Sequence, residues 1–258
     1  MEFQAETKKL LNIVANSLYT DKEVFVRELV SNASDALEKR RYAMLTGDGG
    51  TGSSDATGEG PEMGITITTD KDTNTLTIAD TGIGMSRDEL VQNLGTIARS
   101  GTKSFAQQLA EQNVGGEAAA NVIGQFGVGF YAVFMVADEV TVFSRKHDEE
   151  IAHCWTSRGD GSYSLSEASN VPPGTKIILK LKPEETKFAQ RFHIEQNIRK
   201  YSNFVGFPIA VDGERVNTLE ALWMKSKNEV TVEQHPWSCP LICLHLPSSP
   251  SISPCACR

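Results

Sequence analysis

The chain has 258 residues, 40% hydrophobic and 22% charged, and its 25 basic side chains face 33 acidic ones. A net charge of −8 argues against a general affinity for nucleic acid or anionic membrane. No apolar run approaches the roughly 20 residues needed to span a bilayer, the longest conspicuous one being Tyr131 to Ala137.

Leu10, Leu11, Val14 and Leu18 fall at helical spacing over 6–19. Phe25, Val26, Leu29, Val30, Ala33 and Leu37 do the same over 22–43, so two amphipathic helices are expected first. Residues 46–61 are glycine-rich with almost no large apolar side chain, the pattern of a mobile surface loop. Ile65-Thr66-Ile67-Thr68 and Leu76-Thr77-Ile78 alternate and predict a β-hairpin with one face in the core. Ser86-x-x-Glu89 has the spacing of a capping box and predicts a short helix. Residues 95–125 hold several glycines around an expected helix at 103–112, which suits a hinged flap. The apolar stretch 128–137 predicts a buried helix, and strands are expected at 139–144, 151–156, 162–166 and 175–182. A helix at 187–203 and a hairpin from Ile209 to Val216 complete the pattern.

This order is not a strict βαβ alternation. It predicts an α+β two-layer sandwich, a largely antiparallel sheet with helices on one face, over residues 1–232. Residues 236–258 hold five of the ten prolines and four of the five cysteines. The tail 233–258 is therefore expected to lie outside the folded unit. The one cysteine in the body, Cys154, suits a reducing compartment.

Three motifs carry chemistry. Glu28, Asn32 and Asp35 fall within roughly 60° of one another on a helix. An amide oxygen there can hold Mg²⁺, and a carboxylate one turn earlier can orient or deprotonate a water attacking a γ-phosphate. Asp80-Thr81-Gly82-Ile83-Gly84-Met85 puts a carboxylate at a strand end, able to accept from the exocyclic amine of adenine. Gly124-Gln125-Phe126-Gly127-Val128-Gly129-Phe130 can turn backbone N–H groups toward phosphates. Taken singly, each also fits a plainer role: a solvated helix face, a tight turn, close packing through glycine. Together they indicate ATP.

Rival motifs fail. Gly95 to Ser104 does not have Walker A spacing. Gly124 to Gly129 is not G-x-G-x-x-G, which argues against a Rossmann site. The five histidines show no ligand spacing, so no protein zinc site is expected.

In this order the motifs resemble the ATP-binding fold shared by gyrase, heat-shock protein 90, histidine kinases and MutL. The runs 28–37, 80–85, 93–98 and 124–131 resemble the heat-shock protein 90 N-terminal domain most, and the likeness runs from Glu2 to about Glu229. The runs 3–11, 97–101, 134–138 and 201–205 are most similar to its mitochondrial branch.

The resemblance implies that Glu28 is the catalytic carboxylate and Asn32 the Mg²⁺ ligand. Asp80 would contact adenine directly, with Thr175 assisting through water. Gly84, Met85, Asn93, Leu94 and Phe130 would line base and sugar. Arg99, Ser100, Gly101, Gly124, Gln125, Phe126, Gly127, Val128 and Gly129 would meet the phosphates, and Asp35 and Ala36 belong to the same nucleotide site. Residues 95–125 would form a lid closing over ATP or ADP. The family implies a chaperone acting on client proteins, dimeric at full length, with the isolated domain a monomer that hydrolyses ATP very slowly. It implies a mitochondrial location, the cytoplasm being the alternative. Two other readings remain: a nucleotide-sensing module without meaningful turnover, and a topoisomerase- or MutL-like member. Against the latter stand the acidic charge and the sequence Ile97-Ala98-Arg99-Ser100-Gly101-Thr102.

Overall fold

The computed structural model describes residues 21–46, 62–103, 105 and 127–217. Expectations for 6–19, for the loop 47–61, for most of the flap and for the tail lie outside these residues.

Helix α1 spans Val24–Thr46. It buries Phe25, Val26, Leu29, Val30, Ala33 and Leu37, the stripe that the sequence spacing predicts. Strands β1 (Ile65–Asp70) and β2 (Thr75–Asp80) form the expected antiparallel hairpin. Helix α2 (Arg87–Leu94) opens with both halves of the capping box. The Ser86 hydroxyl accepts from the Glu89 amide, and the Glu89 carboxylate accepts from the Ser86 amide. These bonds satisfy amide donors that the first turn leaves free.

Four strands follow: β3 (Ala137–Arg145), β4 (Ala152–Ser157), β5 (Tyr163–Ala168) and β6 (Gly174–Leu181). After helix α3 (Arg191–Tyr201) come β7 (Ile209–Val211) and β8 (Glu214–Arg215). All eight lie in one sheet, in the order β5-β4-β3-β6-β2-β1-β7-β8. Every pairing is antiparallel except β1 with β7. The architecture is the α+β sandwich, with helices on one face of the sheet. Phe25 of α1 meets Phe188 edge-on, ring centroids 5.0 Å apart, within the core between the layers.

Two expected helices differ in kind. The stretch 128–137 contains a 3₁₀ helix, Gly129–Met135, rather than an α-helix. Phe130 through Met135 are buried on every side, and Tyr131 is tied to Leu94 by a hydrogen bond from its hydroxyl. Such a segment is wound to suit its surroundings rather than an amphipathic stripe. The helix expected over 187–203 is split, because Gln190 takes an extended conformation between a 3₁₀ turn, Pro183–Ala189, and α3. Asn217 braces β7: its Oδ1 accepts from the Ile209 amide at 2.7 Å and its Nδ2 donates to the Phe207 carbonyl at 2.7 Å.

Candidate nucleotide site

The apolar face of the sheet turns polar in its last row. On β2, Leu76 and Ile78 are buried and Asp80 is next in the alternation; on β3, Val140 and Val142 lead to Ser144. On β6, Leu181 and Leu179 lead through Ile177 to Thr175. Asp80 pairs directly with Thr175, and Thr175 with Ser144.

Desolvation pushes the Asp80 pKa up to about 7, while the amides of Gly82 and Thr175 donate to the carboxylate and pull it the other way. The bond from Gly82 is 2.9 Å long. Asp80 is thus a half-buried acceptor, its carboxylate poorly solvated, at the end of β2.

Helix α1 crosses both glycine loops. A Cβ built on Gly82 would come within 2.6 Å of the Ala36 Cβ and 2.7 Å of Asp80 Oδ1. The Ile83 amide donates to the Ala36 carbonyl at 3.0 Å, and Arg40 Nη1 to the Thr81 carbonyl at 2.7 Å. At the other end, a Cβ on Gly129 would come within 2.2 Å of Glu28 Oε2. Residues 28, 32 and 36 repeat every fourth position and so form one ridge, about 12 Å from end to end. Glu28 touches the second loop and Ala36 the first, while Asn32 stands between them, exposed.

Asp35, expected on the same stripe, is only 1% exposed. Its charge opposes the desolvation that lowers the Lys39 pKa. It supports the ridge from inside rather than facing outward with Asn32.

The remaining expected residues surround this line. Gly84 has φ of +73°, and a Cβ there would stand 2.0 Å from the Arg145 carbonyl oxygen. The Met85 amide donates to Ser144 Oγ at 2.9 Å, and Asn93 Nδ2 approaches Met85 Sδ at 3.9 Å. A Cβ on Gly101 would lie 3.0 Å from Asn93 Oδ1, so Gly101 faces the same side chain. Leu94 and Phe130 are buried. Gly127 backs onto the main chain of Arg99, where a Cβ would meet the Arg99 oxygen at 2.3 Å. Ser100 Oγ accepts from the Lys103 amide at 3.1 Å. Val128 precedes the 3₁₀ helix and its carbonyl accepts from the Tyr131 amide. Gly124, Gln125 and Phe126 lie outside the described residues.

Three residues that the sequence reading passed over belong here. Arg27 Nη2 donates to Glu28 Oε1 at 2.8 Å, and the Glu28 side chain is 22% exposed. Lys39 Nζ donates to Thr102 Oγ1 at 3.3 Å, joining α1 to the start of the flap. Ser144, fully buried, left one faint signal in the sequence, a hydroxyl in the buried phase of an apolar strand.

No group of three or more His, Cys, Asp or Glu side chains among the described residues could hold a metal by itself. Mg²⁺ carried by a nucleotide would need only one or two protein oxygens beside phosphates and water. The exposed Asn32 amide fits that part. Cavities of about 460 and 510 Å³ open around the β3–β4 turn, but no residue of the ridge or glycine loops lines either.

A carboxylate beside a glycine turn and an exposed amide on one helix, with a poorly solvated carboxylate at a strand end beside the same helix, over a mostly antiparallel sheet, is an arrangement that suits a nucleotide-hydrolysing domain. Residues 19–171 match the family model described as histidine kinase-, DNA gyrase B-, and HSP90-like ATPase, and the chain belongs to that family. Within it the chain is of the heat-shock protein 90 type, an N-terminal ATPase domain. It is 52% identical over 238 residues to heat shock protein 75 kDa, mitochondrial, of Bos taurus, covering 91% of this chain and 32% of that protein. Against chaperone protein HtpG of Oleidesulfovibrio alaskensis identity is 50%, with 91% and 36% covered. Against the TNF receptor-associated protein 1 homolog, mitochondrial, of Dictyostelium discoideum it is 47%, with 91% and 32% covered. The chain spans about a third of the length of the curated relatives it matches. No described helix is long and apolar enough to cross a membrane.

Proposed function

We propose that this chain binds Mg²⁺-ATP along the α1 ridge, with adenine at Asp80 and the phosphates between Asn32 and the Gly127–Gly129 turn. The ridge of Glu28, Asn32 and Ala36, with Gly129 beside Glu28 at one end and Gly82 beside Ala36 and Asp80 at the other, carries this reading. Asn32 would hold the Mg²⁺, which supplies charge neutralisation on the phosphate oxygens. Glu28 orients the attacking water and takes its proton. Thr175 assists Asp80, and Gly84, Met85, Asn93, Leu94 and Phe130 enclose base and sugar. Arg99, Ser100 and Gly101, with 124–129, meet the phosphates as the segment 95–125 closes.

In the longer protein such closure drives client folding in a homodimer, and the relatives' names support a mitochondrial location. Residues 1–232 are the domain, and 233–258 stand outside it. Alone the domain is a monomer with slow turnover; the cation paired with Glu28 is Arg27. The test is Glu28→Ala: ADP should bind as before while phosphate release in a longer chain is lost. Unchanged release would remove Glu28 from its role.

The Arg27–Glu28 pair favours a second reading, a nucleotide-sensing module whose carboxylate is held off the water. Phosphate release measured for this chain and for a longer one separates the two readings. No release from either supports the sensor.

A further inference from the structure

Ser144, Thr175 and Asp80 stand directly opposite one another on three adjacent antiparallel strands. Residues so paired project to the same face, so the three form one polar row. Ser144 is the anomalous member. It occupies the phase in which β3 buries Val140 and Val142, and it has no exposed surface. Packing alone is served there by a third valine.

Its bonds can be counted. A serine hydroxyl has one proton and two lone pairs. The Met85 amide donates to Ser144 Oγ at 2.9 Å, which occupies one lone pair. The Gly174 carbonyl oxygen lies 3.1 Å away and can only accept, so it receives the Ser144 proton. With the proton elsewhere, two oxygens would face each other bare at that distance, where water does not reach. The third neighbour is the Thr175 hydroxyl at 2.9 Å. Ser144 has only a lone pair left for it, so Thr175 is the donor. The single proton of Thr175 is thereby committed to Ser144. Thr175 has only lone pairs to offer toward Asp80.

From this we infer that Ser144 is a specificity-determining positioning residue, which fixes the Thr175 hydroxyl as an acceptor toward the base. With Asp80 ionised, the base end then presents acceptors alone, matched to the exocyclic amine of adenine. It is mismatched to the carbonyl oxygen that hypoxanthine and guanine carry at the same position. The inference rests on the reading of Asp80 and Thr175 as the base contacts, and adds to it the residue that sets their polarity.

The test is the ratio of ADP to inosine diphosphate affinity, measured by calorimetry on the whole chain. The two ligands differ on one edge of the base: C6 carries an amine in adenine and a carbonyl in hypoxanthine, and N1 beside it is a bare acceptor in adenine and an N–H donor in hypoxanthine. Ser144→Ala releases the Thr175 proton to turn toward the inosine oxygen, so the preference for ADP should fall by about five- to tenfold. Ser144→Thr keeps the hydroxyl and should hold the ratio within about twofold. A Ser144→Ala ratio equal to that of the unmodified chain overturns the inference, even if both ligands bind more weakly. So does a Ser144→Thr ratio that shifts as far as the alanine's. If Ser144→Ala does not fold, Thr175→Val decides, since deleting the acceptor must also lower the preference for ADP and an unmoved ratio refutes the assignment. Asp80→Asn separates the two levels: normal ADP affinity there refutes the base-end reading itself. Lost affinity there with an unmoved Ser144→Ala ratio refutes only the role of Ser144.

Discussion

At the base end, Asp80, Thr175 and Ser144 sit on three hydrogen-bonded strands, and Ser144 is fully buried. At the phosphate end, Glu28 and Asn32 project from a helix, 22% exposed at the Glu28 side chain and exposed at Asn32, against a wall of backbone from Gly127 to Gly129. Groups on paired strands hold their geometry before any ligand arrives, whereas long side chains on a helix ridge can still change partners. On the proposed reading, recognition is built into the sheet, and the groups assigned to the reaction are left able to move. A hydrolase that must wait for closure is served by that division.

Breaking one end at a time should give different losses. Glu28→Ala is expected to lower turnover by about two to four orders of magnitude, with ADP affinity little changed by calorimetry; equal losses in both would erase the contrast. Asp80→Asn should do the reverse at the binding step, weakening ADP by roughly a hundredfold. Two glycine substitutions sharpen the same point. Gly84→Ala meets a main-chain oxygen at 2.0 Å with φ of +73° and should cost about 2–3 kcal/mol in denaturant unfolding. Gly129→Ala meets only the end of the Glu28 side chain, which can swing away, so stability should change by less than about 1 kcal/mol while turnover falls.

The same contrast should appear on changing pH. Asp80 has a native pKa of about 7, above the ordinary carboxylate value, so the folded chain holds a proton that the unfolded chain has lost. Its contribution to stability is complete below about pH 4 and is lost as pH rises toward 7. ADP affinity should move oppositely, tightening by up to about tenfold per unit as pH approaches 7 and levelling above it. Asp80→Asn should flatten the stability slope in melts across that range; a slope that persists assigns it to another group.

The helical stripe of α1, the hairpin and the capping box were legible because each is encoded within a few residues. Ser86 and Glu89 needed only each other. The three motifs were legible as residue types, and their order suggested their company. What escaped depended on distant chain. Ser144 gains meaning only when register places it beside Thr175 and within reach of Met85. The 3₁₀ winding of Gly129–Met135 follows from burial on all sides, which leaves no period to read. Asp35 looked equivalent to Asn32 by angle, yet the packing of α1 turned one inward and left the other out.

The lone parallel pairing, β1 with β7, has a consequence for how the molecule comes to exist. During synthesis β1 emerges long before the strand that covers its outer edge. Until Ile209–Val211 arrive and Asp212 accepts from the Thr69 amide and hydroxyl, each at 2.8 Å, that edge offers unpaired amides and carbonyls to any other chain. Products cut short before Ile209 should therefore associate through Ile65–Asp70, and the last few residues of the sheet act as its seal against neighbours on the same message.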